Sequence, residues 1–146
     1  DGRTYPWGED VPRPELAHLK ATHRLGLDYY FHNLLVRPRR ELARSGWYWR
    51  VGAPLPVGAI PQNVSPCGCY DMAGNIWEWV SDWYDRDYYS NAPAQNPTGP
   101  ASGTLRVIRG GSWNNISVNG RGAFRGELGP AGTDHGVGFR CVMDVE

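Results

Sequence analysis

The segment that most constrains the fold of this chain is Asp71-Met-Ala-Gly-Asn-Ile-Trp-Glu-Trp79. In a β-strand alternate side chains point to opposite faces, so Trp77 and Trp79 can enter a core while Glu78 points away from it. The tryptophan at position 83 continues this two-residue period after one gap. The pattern predicts a strand from Ile76 to Tyr84 with one aromatic face.

The composition predicts a single, loop-rich domain. Seven Trp and eight Tyr accompany 19 Gly and 12 Pro, a mixture that favours an aromatic core with sparse regular structure. The 146 residues fit one domain. Fifteen basic and fifteen acidic residues cancel, which argues against nucleic acid and anionic membranes as partners. No apolar run approaches the roughly 18 residues of a membrane span, so we do not expect the chain to be membrane-spanning.

The remaining segments differ in their local signals. Residues 13–45 are helix-prone, because their leucines and aromatics recur with a loose helical spacing. The proline-rich segment Gly52–Pro61 is expected to be an extended connection, and Asp85–Gly103 a long surface loop. Short strands are predicted at Leu105–Arg109 and Val137–Met143, separated by a region of low apolar content.

The segment Asp71–Trp79 also contains candidate metal ligands. A turn at Gly74 would fold the carboxylate of Asp71 back toward Glu78. These two carboxylates, with the turn carbonyls of Gly74 and Ile76, would form an all-oxygen cage of the kind that Ca²⁺ prefers. The alternative is a capped turn in which Glu78 pairs with an arginine such as Arg109.

The three cysteines leave more than one state open. An odd count leaves at least one thiol unpaired within the chain. A Cys67–Cys69 bridge would close a very small loop, so a link from one of them to Cys141 is the favoured disulfide in an oxidising compartment. Three buried free thiols are an equal alternative. The Cys67-Gly-Cys69 pair resembles a soft-metal ligand pair but lacks a second pair at finger spacing.

The charged residues of the C-terminal half are expected to be mainly structural. We expect the arginines of this half to form buried ion pairs with Asp82, Glu78 and Asp134 rather than to contact a ligand. The four histidines of the chain form no set with metal-ligand spacing. The arginines concerned are Arg106, Arg109, Arg121, Arg125 and Arg140.

Several cassettes, taken in order, resemble the sulfatase-modifying-factor family, whose founding member is the formylglycine-generating enzyme. They are Tyr5-Pro-Trp-Gly8, Pro56-Val-Gly58 with Asn63, Tyr70 to Trp79, Arg106 to Trp113, and Gly138-Phe-Arg-Cys141. The resemblance implies an α+β, C-type-lectin-like fold with short antiparallel strands, low regular secondary structure and calcium on the positions named above. It covers 1–146 as a partial domain, best over 56–146, and implies a core that a second chain completes.

The resemblance also bears on catalysis. Formylglycine formation needs two thiolates that bind copper, since sulfur selects Cu(I). In the family these follow the Gly-Gly-Ser-aromatic turn by two and seven residues, which here are Asn115 and Gly120. No copper and no catalytic residue are therefore expected, and the chain should lack that oxidase activity.

The segment Asn114–Gly136 is the predicted ligand-facing surface, because a lectin-like fold displays such irregular backbone where function concentrates. Its pattern resembles the variable proteins of diversity-generating retroelements.

We expect a non-catalytic binding or scaffolding module with a protein or glycan partner. The alternative is an enzyme or enzyme accessory, acting on a peptide or small thiol and completed by another chain. The compartment stays open, with an extracytoplasmic or extracellular location slightly favoured. The candidate binding residues are Trp113, Asn114, Asn115, Ser117, Asn119, Phe124, Asp134 and His135.

Overall fold

A computed structural model describes residues 2–13, 15–19 and 53–143. Within them a small sheet of four strands carries the fold: β1 is Trp77–Trp83, β2 Arg106–Arg109, β3 Gly126–Leu128 and β4 Val137–Gly138, in the spatial order β3-β2-β1-β4. Two short 3₁₀ turns lie at Tyr88–Ser90 and Ser117–Gly120. Most of the helix-prone region 13–45 lies outside the described residues. No helix in the described part of the chain is long and apolar enough to cross a bilayer.

Strand β1 confirms the strand predicted from the tryptophans, but of its three tryptophans only Trp77 is buried, while Trp79, Trp83 and Glu78 are all half-buried. It pairs antiparallel with β2, and Trp79 lies opposite Ile108 while Trp83 lies opposite Arg106. Four residues along β1 thus match two residues along β2, so β1 contains a bulge between Trp79 and Trp83. This bulge accounts for the gap in the aromatic period.

The two outer strands differ from the sequence-based expectation. Strand β4 ends at Gly138, although a strand to Met143 was predicted, and it pairs parallel with β1. The sheet is therefore mixed rather than purely antiparallel. Strand β3 was not predicted, because a glycine opens it. A Cβ at Gly126 would lie 2.9 Å from Cγ1 of Ile108, so the close approach of β3 to β2 requires glycine at this position.

The core of the described residues is small and partly aromatic. Its buried apolar side chains are Ala17, Leu19, Ala73, Trp77, Val107, Ile108 and Trp113. The indole of Trp77 reaches across β2 toward Gly126, and the ring of Phe124 lies 6.0 Å from it. By contrast, the segment after β4 leaves apolar side chains in solvent: Phe139, Val142 and Met143 are 73, 92 and 86% exposed.

The turn before β1 is buried and takes the unusual backbone that its residues allow. Asp71, Gly74 and Asn75 have φ values of 57°, 82° and 67°, in the left-handed region that glycine and asparagine tolerate best. The Gly74 N–H donates to Gly110 O at 2.8 Å, and the Asn75 N–H donates to His18 O at 3.0 Å. The predicted Gly-Asn turn is therefore confirmed, and it joins β1 to the end of β2.

Candidate functional site

Ser112 forms hydrogen bonds with both asparagines at the start of the predicted binding segment. It follows Gly110 and Gly111, which have φ values of 91° and 74° and so bend the chain sharply after β2. Ser112 is 1% exposed. Its N–H donates to Asn115 Oδ1 at 2.9 Å, and its Oγ lies 2.8 Å from the same oxygen and 2.5 Å from Asn114 Oδ1.

These distances determine which amide groups remain for a ligand. Asn115 Oδ1 accepts from the Ser112 N–H, and the single hydroxyl hydrogen of Ser112 faces Asn114 Oδ1 and Asn115 Oδ1. Both amide oxygens are therefore used within the turn. This arrangement leaves the Nδ2 groups of Asn114 and Asn115 as amide donors.

The two asparagines line a pocket of about 210 Å³. One apolar residue from each of the four strands forms its floor, and two asparagines and one aspartate form its polar rim. Asp134 Oδ1 accepts from the Gly136 N–H at 2.8 Å, which fixes the turn on the far side of the pocket. The floor residues are Trp77, Ile108, Leu128 and Val137, and the rim residues are Asn114, Asn115 and Asp134. Sequence reasoning placed Ser112 in the Gly-Gly-Ser-aromatic turn and Trp77 in the core, but assigned neither to the binding surface. The other floor residues carry no signal beyond strand alternation.

The other candidate binding residues have different positions. Trp113 is 5% exposed, and its indole lies 5.6 Å from the exposed ring of His135. Within the described residues, Trp113 Nε1 is buried without a hydrogen-bond partner. Ser117 and Asn119 are half-buried in a 3₁₀ turn. Phe124 packs against Trp77 and is not among the residues that line the pocket.

Positions 115 and 120, where the resemblance implies thiolates, have structural roles here. The side chain of Asn115 holds the Ser112 turn, as described above. Gly120 is buried, and a Cβ added to it would lie 2.9 Å from Cδ1 of Leu19 and 3.7 Å from Cβ of Ala73. Neither position offers a ligand for Cu(I), and the space next to Gly120 is already filled by Leu19.

The carboxylates of the predicted calcium site both have protein partners. Asp71 is 9% exposed; its Oδ2 accepts from the Gly58 N–H at 2.8 Å and its Oδ1 from Asn63 Nδ2 at 3.4 Å. Glu78 accepts from Nε of Arg140 at 2.5 Å through Oε2 and from the second guanidinium nitrogen through Oε1. This bidentate hydrogen bonding raises the pKa of Arg140. Glu78 thus pairs with an arginine, as in the alternative to calcium, but the arginine is Arg140.

The donor types around this turn nevertheless fit a hard cation. Arg140, which holds Glu78, also donates to Tyr70 O at 3.1 Å, next to Asp71 in the chain, so both carboxylates lie near this guanidinium. Asn63 Oδ1 is buried and has no hydrogen-bond partner within the described residues. A calcium ion would share Glu78 with Arg140, and each carboxylate oxygen has a second lone pair for that purpose.

The other arginines of this half bind carbonyl oxygens rather than carboxylates, contrary to the predicted ion pairs. Arg109 donates to the carbonyls of Phe124 and Gly122, and burial lowers its pKa. Arg125 donates to Asp85 O at 3.0 Å. Arg106 and Arg121 donate to Ser81 O and Val118 O, and Arg106 and Arg125 also stack on aromatic rings.

The cysteines are all free thiols. Cys67 and Cys141 are exposed and Cys69 is half-buried, so none of the three is a fully buried thiol. The link to Cys141 expected for an oxidising compartment is not present in this structure. The residues that the structure describes contain no group of three or more His, Cys, Asp or Glu side chains arranged to hold a metal.

The fold and the sequence motifs described above define a class of protein. A family model described as a sulfatase-modifying factor enzyme 1-like domain matches residues 1–145. The chain therefore belongs to this family, and its small mixed sheet and long loops fit the C-type-lectin-like fold of the family.

Individual relatives agree with this assignment. The chain is 38% identical to the formylglycine-generating enzyme of Thermomonospora curvata, over 99% of the chain and 44% of that enzyme. It is also 42% identical to the protein named serine/threonine-protein kinase pkn1 of Chlamydia pneumoniae, over 61% of the chain and 14% of that protein. The chain thus spans less than half of the length of either relative.

Two solved structures share the fold. PvdO from Pseudomonas aeruginosa matches with a TM-score of 0.51 and 29% identity, over 60% of this chain and 33% of PvdO. Treponema denticola variable protein 1 matches with a TM-score of 0.50 and 29% identity, over 60% of this chain and 31% of that protein.

Proposed function

We propose that this chain is a non-catalytic binding domain of the sulfatase-modifying-factor family, which presents its 114–136 surface to a partner protein. The observation that carries the proposal is the pocket between Asn115 and the sheet, where Asn115 occupies one of the two positions at which the family's reaction would need a thiolate. Three of the eight binding side chains predicted from the sequence, Asn114, Asn115 and Asp134, form its rim.

The chemistry of the pocket favours a polypeptide over a glycan. Its floor consists of four apolar side chains, and its volume of about 210 Å³ is large enough to admit one leucine or phenylalanine side chain. The rim offers amide donors from Asn114 and Asn115 and the carboxylate of Asp134 as an acceptor, which complement the C=O and N–H of a peptide group. A sugar ring would leave its hydroxyl groups against the apolar floor, which costs free energy.

A capped amino acid tests the class of ligand. N-acetyl-leucine methylamide should perturb the NMR signals of Trp77 and Asn115 at millimolar concentration, and methyl glucoside should not. A Leu128→Gln variant should weaken this binding about tenfold, because it puts an unpaired amide on the floor. Ile116→Gln is the matched control, since Ile116 is 49% exposed and is not a pocket-lining residue. Preferential binding of the glucoside would refute the choice of a protein partner.

The absence of the family's thiolates supports the non-catalytic part of the proposal. Asn115 uses its oxygen within the turn, and a cysteine at 120 would first have to displace Leu19. When copper and a Cys-containing sulfatase peptide are incubated with the full chain and then reduced, the peptide mass should stay unchanged. A formylglycine-generating enzyme with both thiolates is the positive control, and a formylglycine product from this chain would overturn the proposal.

A calcium ion and a second chain complete the proposal. The oxygen donors of Asp71, Glu78, Gly74 and Ile76 support Ca²⁺ as a structural ion that would fix the turn before β1, with Arg140 on the other side of Glu78. The exposed apolar residues after β4 support a second chain, or further family sequence, that covers them.

The second candidate function is an enzyme or enzyme accessory completed by another chain. The similarity to the formylglycine-generating enzyme of Thermomonospora curvata over nearly the whole chain favours it. Such a function would need its reacting groups from the partner, so activity that appears only when a partner is added to the peptide assay would support it.

A further inference from the structure

Cys67 lies at the exposed tip of a tight turn that the proposed binding function does not use. Val64 and Tyr70 pair across the base of this turn. The Ser65 N–H donates to Cys69 O and the Gly68 N–H donates to Ser65 O, both at 2.9 Å. Gly68 has a φ of 80°, which lets the chain reverse between the two cysteines.

The Ser65 hydroxyl connects the two cysteines. Its oxygen accepts from the Cys69 N–H at 3.1 Å and lies 3.0 Å from Cys67 Sγ. A thiolate has no hydrogen, so once Cys67 loses its proton the Ser65 hydroxyl is the donor in this contact while its oxygen still accepts from the Cys69 N–H. Such a bond stabilises a thiolate more than a thiol, because the acceptor carries the charge.

The electrostatic consequence agrees with this geometry. The hydrogen bond from Ser65, followed by contributions from the N–H and the side chain of Cys69, lowers the pKa of Cys67 below that of an ordinary thiol. Exposure and a stabilised thiolate are the two properties that distinguish reactive cysteines from inert buried ones.

We propose that Cys67 is a thiol–disulfide exchange site for low-molecular-weight disulfides, with Cys69 as the second thiol of the reaction. The Cys67 thiolate attacks one sulfur of R–S–S–R, a Cys67–S–S–R bond forms, the S–S bond of the reagent breaks, and R–S⁻ leaves with the electron pair. The oxidant is the disulfide itself.

Cys69 limits the lifetime of this adduct. Two residues from Cys67 and half-buried in the same turn, it attacks the mixed disulfide after losing its proton, releases the second R–S⁻ and closes a Cys67–Cys69 bridge. The loop closed in this way is very small, so the bridge is readily reduced, as strained disulfides are. The site is thus reversible, and reduced small thiols restore it.

The test uses the full chain, reduced and then exposed to glutathione disulfide at neutral pH, with intact-mass and peptide mass spectrometry. The glutathione adduct is expected first on Cys67, several-fold faster than on Cys141, which is also exposed and therefore serves as the internal control. Equal rates at the two cysteines would overturn the proposal.

Two variants separate the chemistry from simple exposure. Ser65→Ala should slow the reaction of Cys67 about threefold for each tenfold loss of thiolate, because a more basic thiolate is also more nucleophilic, and should leave Cys141 unchanged. Cys69→Ser should make the Cys67 adduct persist, whereas the parent chain converts it to the internal bridge. An unchanged rate in Ser65→Ala, or an adduct equally persistent in both chains, would contradict the assigned roles. Thermal melts check that each variant is folded.

Discussion

Gly126 offers a quantitative test of the packing between β3 and the rest of the sheet. A Cβ at this position would lie 2.9 Å from Cγ1 of Ile108 and 3.3 Å from two ring atoms of Trp77. Both neighbours are nearly buried, 6% and 8% exposed, so neither can move freely into solvent. Gly126→Ala should therefore force a shift of β3 and lower the free energy of unfolding by about 1–3 kcal/mol, the usual cost of overpacking.

The matched control is Gly129→Ala, since a Cβ there meets nothing within 4 Å. It should change the free energy of unfolding by no more than about 0.5 kcal/mol. Chemical denaturation followed by tryptophan fluorescence measures both values. For a chain of this length the Gly126 variant should also melt about 3–10 °C lower. Equal stability of the two variants would refute the close contact between Gly126 and the floor of the pocket.

Three further predictions concern the ion pair, the cation and the exposed tail. Glu78→Gln should cost about 1 kcal/mol, because Glu78 and Arg140 are only 16% and 32% exposed; Asp10→Asn, in the exposed pair with Arg13, should cost less than about 0.5 kcal/mol by denaturant titration. If calcium binds beside Glu78, thermal melts with calcium and with a chelator should differ by several degrees in the parent chain and coincide in Glu78→Gln; an unchanged parent melt would remove the site. Sedimentation velocity should show that the protein associates through the tail that contains Phe139, and Phe139→Ser should weaken this association. A well-folded monomer would show that the exposed apolar side chains of the tail do not need to be covered by another chain.

The fold was predictable from the sequence where side-chain chemistry repeats along a strand or demands a special backbone. The tryptophan period gave β1, and the Gly-Asn pair gave the turn before it, because both signals are local. Strand β3 could not be found in this way, since its pairing depends on the close approach of Gly126 to a strand about 20 residues earlier. The early end of β4 has no local signal either, because Gly138 and Phe139 are compatible with a longer strand.

The site was predictable in part, for a similar reason. Asn114, Asn115 and Asp134 were expected at a binding surface, and the structure brings them to one pocket. An arginine partner was expected for Glu78, with Arg109 as the example, and the structure has Arg140 in that role. Arg109 lies opposite Glu78 across the strand pair, but its side chain turns toward two carbonyls of the loop before β3. Backbone carbonyls are present at every residue, so a sequence pattern cannot show which of them an arginine will bind.

These guanidinium–carbonyl bonds have a consequence for tolerance to change. Arg125 bonds the carbonyls of Asp85 and Arg86, so it anchors the start of the long loop through backbone atoms whose identity does not depend on the side chains there. Substitutions along that loop can therefore alter its surface without removing the anchor. Because the acceptors are dipoles and not ions, added salt should weaken this anchorage far less than it weakens an exposed ion pair.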